Sequence, residues 1–327
     1  MNKRERLEAA INGGKLDRVP VALWRHWPGD DQRADDLAAA HVWFQNAWDW
    51  DFVKVSPSSS FCLEQWNVTD VWEGESEGTR RYLSWPVHSA EDWHHIGRLD
   101  VGQGGLGRQL SCLDLLRDAF KSEVPYIQTV FSPLAQAKHL AGSGALERHI
   151  RQAPEAVHAA LRAITDTTLD FVRESARRGI AGIYYAVQYA TYQSLSEAEF
   201  AAFGRPYDLE ILEAVKDLWL NVLHIHGADI MFDQVADYPA AVVNWHDRET
   251  APDLATGLAK IAGAASGGVS RDDLHRDTPD LSLEQARDAF RQTGGRRWVL
   301  GTGCVTLVTT PIGNIRRLRE LAETMKP

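Results

Sequence analysis

His224 and His226 stand two residues apart in the apolar run NVLHIH (221–226), and Cys304 closes the segment RWVLGTGC. On a β-strand, side chains two apart point to the same face, so the histidines offer two imidazoles to one side. Two imidazoles and a thiolate form a soft nitrogen–sulfur donor set that suits Zn²⁺, with one position left open or taken by a further ligand. His246, which opens His246-Asp247-Arg248, could be that ligand or a catalytic base. The same residues also have plainer uses. Paired histidines can hydrogen-bond interior groups, a buried cysteine can pack as a small hydrophobe, and His246 can sit in a solvated turn.

Other polar residues fall at the ends of apolar runs. Arg25, between Trp24 and His26, is suited to clamp a carboxylate or phosphate bidentately, or to pair with Asp30 or Asp31. Lys54 lies inside an apolar run, where its charge needs a partner or a water-filled cavity. Arg25, Lys54, Gln188 and His246 are the catalytic candidates. Arg25, Trp24, His26, Gln128, Tyr185 and Tyr189 are the candidate contacts for a small-molecule substrate, with Tyr184 beside them. The glycine-rich stretch 102–107 has neither the preceding strand nor the following lysine of a phosphate loop.

These residues need a scaffold. Eight short apolar runs bounded by turn signals recur at 19–24, 51–56, 124–131, 181–187, 221–226, 240–245, 262–269 and 297–303. Helical patterns separate them. One covers 154–179, with Pro154 at its start and Gly179 as its stop; another covers 282–295, capped by Ser282 and ended by Gly294-Gly295. Strand–helix alternation predicts an α/β fold of parallel strands with right-handed crossovers. Eight runs predict a (β/α)8 TIM barrel over a single domain, 1–327, with an open doubly wound sheet as the alternative. Barrel sites gather at strand C-terminal ends, where the residues above fall. A charged helix over 2–13 should precede the first strand. Residues 57–123 form a long insertion after the second, without clear period, as a lid, a side wall or decoration; it holds Trp66, Trp72, Trp85 and Trp93.

Composition narrows the class. The formal net charge is -10 and no basic stripe appears, so no nucleic-acid partner is expected. No signal peptide opens the chain and no run is long and apolar enough for a membrane span. Three cysteines, Cys62, Cys112 and Cys304, make no disulfide framework. The expectation is a soluble cytoplasmic enzyme.

Three segments carry a resemblance. RERLEAAINGGKLDRVPVALW near the start, HIHG at 224–227 and RWVLGTGCVTLVTTPIGNI at 297–315 together resemble the uroporphyrinogen decarboxylase-like superfamily, in order and over nearly the whole chain. The resemblance implies the barrel, a possible homodimer and one of two chemistries. Decarboxylases of this type use no cofactor and hold substrate carboxylates with arginines. Arg25 falls on the first arginine of their Pro-Val-x-x-x-Arg segment, but the rest of their Arg-Gln-Ala-Gly-Arg motif reads RHWPG here. Gly301-Thr302-Gly303 stands where they have Gly-His-Gly. The related methyltransferases act on methylcobamides and a thiol, and bind zinc through His-x-Cys and a distant Cys. His224 matches their first ligand and Cys304 their last, while His226 replaces the middle cysteine. His246 could supply a fourth. The resemblance thus implies a zinc-dependent methyltransferase using Zn²⁺ and a corrinoid (methylcobamide) donor, with a corrinoid protein as possible partner. A cofactor-independent decarboxylase and a non-catalytic tetrapyrrole or corrinoid binding module are the alternatives.

Overall fold

Seven parallel strands pair in one curled sheet in the computed structural model, which describes residues 1–142 and 144–327. They are β1 (Val53–Val55), β4 (Tyr126–Phe131), β5 (Gly182–Val187), β6 (Val222–Ile225), β7 (Val242–Trp245), β8 (Ala264–Val269) and β9 (Trp298–Thr302), in that spatial order. A separate antiparallel hairpin, β2 (Thr69–Val71) and β3 (Arg81–Ser84), lies between β1 and β4 in the chain. Each of seven predicted runs contains one strand of the sheet.

The first run, 19–24, forms no extended strand and makes a single parallel bridge, Val21 with Leu300. Pro20 has no N–H to give to a ladder. The segment still bonds to both sheet edges. Ala22 N donates to Leu300 O and Leu300 N to Pro20 O on the β9 side, and Asp51 N donates to Val21 O next to β1.

Both faces of the sheet are buried, as parallel sheets require. Leu223, Ile225, Tyr185 and Val130 pack in the outer core, under the helices. Ile127, Tyr184, Ala186, Val222 and Val299 pack in a smaller inner core together with Trp24, Phe52 and Cys304. Leu7, from the N-terminal helix Lys3–Ile11, joins this inner core.

Residues 57–123 are more ordered than their sequence suggests. They hold the hairpin, 3-10 turns at Glu64–Trp66 and Ala90–His95, and a helix at Gly104–Phe120. That helix buries Leu106, Leu110, Leu113, Leu116 and Phe120, a helical spacing that the glycines at its start obscure. It serves as the crossover between β1 and β4, so the inserted part ends before Gly104. The helix expected to be capped by Ser282 begins earlier, at Asp280. The Ser282 hydroxyl donates to Pro279 O instead of accepting from the helix.

Candidate metal centre

The inward pleat of β6 carries Val222 and His224, and His226 follows just past the strand end. Register pairs His224 with Asn244 and Ile225 with Trp245 on β7. The spacing His224-x-His226 therefore lies beside Asn244-x-His246, and the two motifs bring three imidazoles to one end of the sheet, on the same side. Cys304, just beyond β9, completes the group. Candidate ligand atoms of His224, His226, His246 and Cys304 all lie within 4.8 Å of one another. His224 Nε2 and His226 Nδ1 are 3.3 Å apart, and Cys304 Sγ is 3.8 Å from each.

β9 is two strands removed from β7, so Cys304 needs a path to the cluster. Gly303 provides it. A Cβ there would stand 2.7 Å from His246 Cα and 2.9 Å from Trp245 O, so only glycine lets the two backbones approach this closely. Asn244 Nδ2 ties them further, donating to Thr302 O at 3.1 Å and Ser266 O at 2.9 Å. On the far side, the Asp247 carboxylate accepts from Gly268 N at 3.0 Å and Arg248 Nε donates to Gly268 O. His246-Asp247-Arg248 is thus a turn knitted into β8, not a solvated one.

Hydrogen bonds orient each donor. With Asn244 Nδ2 committed to two carbonyls, its Oδ1 must accept. It takes a bond from the Tyr184 hydroxyl at 3.0 Å and from His224 Nδ1 at 2.7 Å. His224 therefore carries its proton on Nδ1 and turns the Nε2 lone pair to the cluster. Burial pushes His224 down to about 4, so it stays neutral. His246 Nδ1 donates to Glu249 at 3.0 Å, leaving Nε2 buried with no partner among the described residues. Burial opposes charge on His246, but the nearby Cys304 and the bond to Glu249 outweigh that and raise it to about 9. Burial likewise disfavours the Cys304 thiolate, yet its bonds to His224 and His226, with His246 beside them, hold the thiol well below its usual range.

A thiolate, oriented imidazole lone pairs and an orphaned buried nitrogen fit a metal ion. Zinc bonded tetrahedrally sets nitrogen–nitrogen edges of roughly 3.3 Å and nitrogen–sulfur edges of roughly 3.6 Å, close to the spacings found. Asn244→Ala should free the His224 ring and lower metal affinity by about 10–100-fold, as loss of such outer partners typically does. Competition against a chelator checks this, and unchanged affinity would remove the orienting role.

Beside the cluster opens a cavity of about 320 Å³. His26, Lys54, Tyr184, Gln188, His224, His226 and Cys304 line it from the sheet side. Glu77, Thr79, Arg80 and Tyr82, from the hairpin region, line it from above, with Lys138 and His139 at the side. The hairpin is fastened across the mouth. Glu77 pairs with Arg271 at 2.6 Å, Val308 N donates to Ser76 O, and Tyr82 stacks on His139 at 4.8 Å. Lys54 Nζ donates to Ser56 Oγ at 3.1 Å and sits 4.7 Å over the Tyr184 ring. Burial pushes Lys54 down to about 8, and no carboxylate pairs with it among the described residues.

Five expected site residues lie elsewhere. Arg25 rests its guanidinium over Trp27 at 4.8 Å, with Nε to His26 O, because Arg25 and His26 project to opposite sides after the first run. Trp24 is buried in the inner core against Phe52 and Tyr184 and does not line the cavity. Gln128 and Tyr185 occupy outward pleats: Gln128 accepts from Gln109, and the Tyr185 hydroxyl donates to Asp208. Tyr189 turns aside to donate to Glu147. Asn244 was given no role from sequence, and Arg80, Lys138 and His139 were not singled out. The in-register spacing of Asn244 and His246 was the available signal for the first.

The fold and site define an α/β protein with a nitrogen–sulfur cluster at the C-terminal ends of its strands. The chain belongs to the uroporphyrinogen decarboxylase (URO-D) family, whose model matches residues 64–325. Its relatives are enzymes of both chemistries. It is 21% identical to a methylcobamide:CoM methyltransferase, MtbA, of Methanosarcina acetivorans, over 99% of this chain and 98% of that one. It is 30% identical to a uroporphyrinogen decarboxylase of Syntrophotalea carbinolica, over 46% of this chain and 45% of that one. A solved methyltransferase structure from Methanosarcina mazei shares the fold with TM-score 0.87 at 17% identity, covering 99% of each chain. No helix among the described residues is long and apolar enough to cross a membrane.

Proposed function

We propose that this protein is a methyltransferase that moves a methyl group from a corrinoid-type donor to a thiol, or similar soft nucleophile, at a zinc ion held by His224, His226, His246 and Cys304. The scaffold is proposed to be a (β/α)8 barrel in which segment 19–24 joins the edges of the seven-stranded sheet. The observation that carries the reading is the convergence of four oriented donor atoms on one end of a cavity sized for a small thiol. Full-length similarity to methylcobamide-dependent relatives supports it.

Zinc bound there would hold the acceptor sulfur as its anion and so raise its reactive fraction at neutral pH. Cys304 and the two anchored histidines, His224 and His246, fix the position of that sulfur. Lys54 binds an anionic group of the acceptor, and Gln188 lines the same wall. The hairpin around Glu77–Tyr82 restricts water at the cavity mouth. In the transfer, a sulfur–carbon bond forms as the methyl–donor bond breaks, and the bonding pair stays with the donor. A corrinoid protein presenting that donor is the proposed partner, with a homodimer and a cytoplasmic setting. The decarboxylase alternative drew its clamp from Arg25, which lies on Trp27 outside the cavity.

Metal analysis of freshly purified protein, with turnover of methylcobalamin and small thiols, tests the reading. Stoichiometric zinc and methylated thiol support it; full activity after metal removal would sink it. Lys54→Met should weaken use of anionic thiols by about tenfold or more, since hydrogen bonds to charged groups contribute about 1.5–3 kcal/mol. Neutral thiols should be nearly unaffected. Equal losses for both thiol classes would refute the anion-binding role.

A further inference from the structure

We infer that His226 is the exchangeable member of the metal centre: an incoming acceptor sulfur displaces its imidazole, while His224, His246 and Cys304 stay bound. The inference rests on the metal-centre reading above and specifies how that centre admits a substrate.

Four converging protein donors make a closed site, whereas a site that binds substrate at the metal must offer a position. One ligand therefore has to yield, and the four are not equally held. Metal-bound histidines almost always donate their second ring nitrogen to an outer partner. His224 does so to Asn244 at 2.7 Å and His246 to Glu249 at 3.0 Å. Cys304 is buried and its carbonyl accepts from Thr302 Oγ1 at 2.5 Å. His226 turns Nδ1 to the cluster, and its other ring nitrogen has no partner among the described residues. It is also the one member of the four that is not fully buried.

Position points the same way. His226 faces the cavity, whereas His246 does not line it. It lies one residue beyond the end of β6, where Val187 O holds its backbone N–H at 2.9 Å but no partner holds the far side of its ring among the described residues. Gly227 follows at φ +99°, a left-handed conformation glycine adopts freely, with nothing within 4 Å of where a Cβ would stand. The ring thus borders the open cavity, with a permissive joint behind it. After exchange, the centre would hold two sulfurs, from Cys304 and the acceptor, and two anchored imidazoles. The imidazole lone pair leaves, a sulfur lone pair replaces it, and the S–H proton goes to solvent; no oxidation state changes.

The test loads the full-length wild type, His226→Ala and His246→Ala with cobalt(II) and titrates each with 3-mercaptopropionate. Sulfur-to-cobalt charge transfer and the ligand-field bands report the ligands directly, without turnover. The wild type should gain a second sulfur-to-cobalt component and keep a four-coordinate spectrum. His226→Ala should retain one cobalt and bind the thiol about tenfold more tightly, as expected if the displaced ligand otherwise occupies the position nine-tenths of the time. His246→Ala should lose cobalt affinity without that tightening. A cobalt-loaded His226→Ala that binds thiol no more tightly than wild type overturns the inference, as does tightening in His246→Ala instead. Failure of the wild type to bind cobalt would overturn the metal-centre reading itself, and the inference with it.

Discussion

Cys304→Ser is expected to strip the metal from the proposed zinc centre while leaving the protein folded. Cys304 supplies the sulfur of the cluster and its negative charge, and the hydroxyl that replaces it stays protonated and hard at neutral pH. The three histidines remain, so residual binding is expected, but weaker by at least about 100-fold. The scaffold should survive. Cys304 lies at a strand end of the inner core it shares with Trp24, Phe52 and Val299, and serine nearly keeps its volume there, so the packing should hold. Metal content after gel filtration, with far-ultraviolet circular dichroism on the same sample, checks both halves. A variant that keeps wild-type zinc would show that Cys304 is no ligand. One that unfolds would show that the metal organises the fold rather than occupying a preformed site.

The second large effect lies at the opposite end of the strands. Asp51→Ala is expected to lower stability by about 3–5 kcal/mol, because it strips buried cations of their partner. Asp51 is fully buried. It accepts from Arg6 Nη1 at 2.6 Å, Arg18 Nη1 at 2.8 Å and Val21 N at 2.7 Å. Arg6 keeps Asp17 at 2.8 Å, whereas Arg18 keeps the Val19 carbonyl and, as its counter-charge, Glu323, which is half exposed. The Val21 bond also helps hold segment 20–22 against β1, so its loss loosens the link between the sheet edges. The shift in the midpoint of chemical denaturation measures this. A loss below about 1 kcal/mol, as for an exposed pair, would contradict it. Metal stoichiometry of the folded fraction should not change, which separates this effect from that of Cys304.

Local features carry the elements and the first part of the site. Turn signals and short apolar runs mark seven strands, because a β-strand between tight turns is a local event. The two-residue spacing of His224 and His226 puts them on one face for the same reason, whatever the rest of the chain does. The phase of the pleat is another matter. In β4 and β5 both faces are buried, so the apolar run does not alternate and nothing local says which residues point inward. Gln128 and Tyr185 looked like site residues on that account, and the structure turns them outward while Thr129 and Tyr184 face the cavity. Arg25 depends on where the chain turns after the 19–24 segment, which the packing of Trp27 decides.

What the amino-acid sequence determined by itself was the family, the alternation of strands and helices, and the donor types His, His and Cys. Only the tertiary structure decided that His246 joins them, that Asn244 orients His224, and that a hairpin from the 57–123 stretch covers the cavity. Each of these is a relation between segments distant in the chain. His224 meets Asn244 through the register of two strands, and Cys304 meets His246 because Gly303 leaves no side chain between them. Register and close approach are settled by the packing of the whole sheet, and that energy is not written in any one stretch of residues.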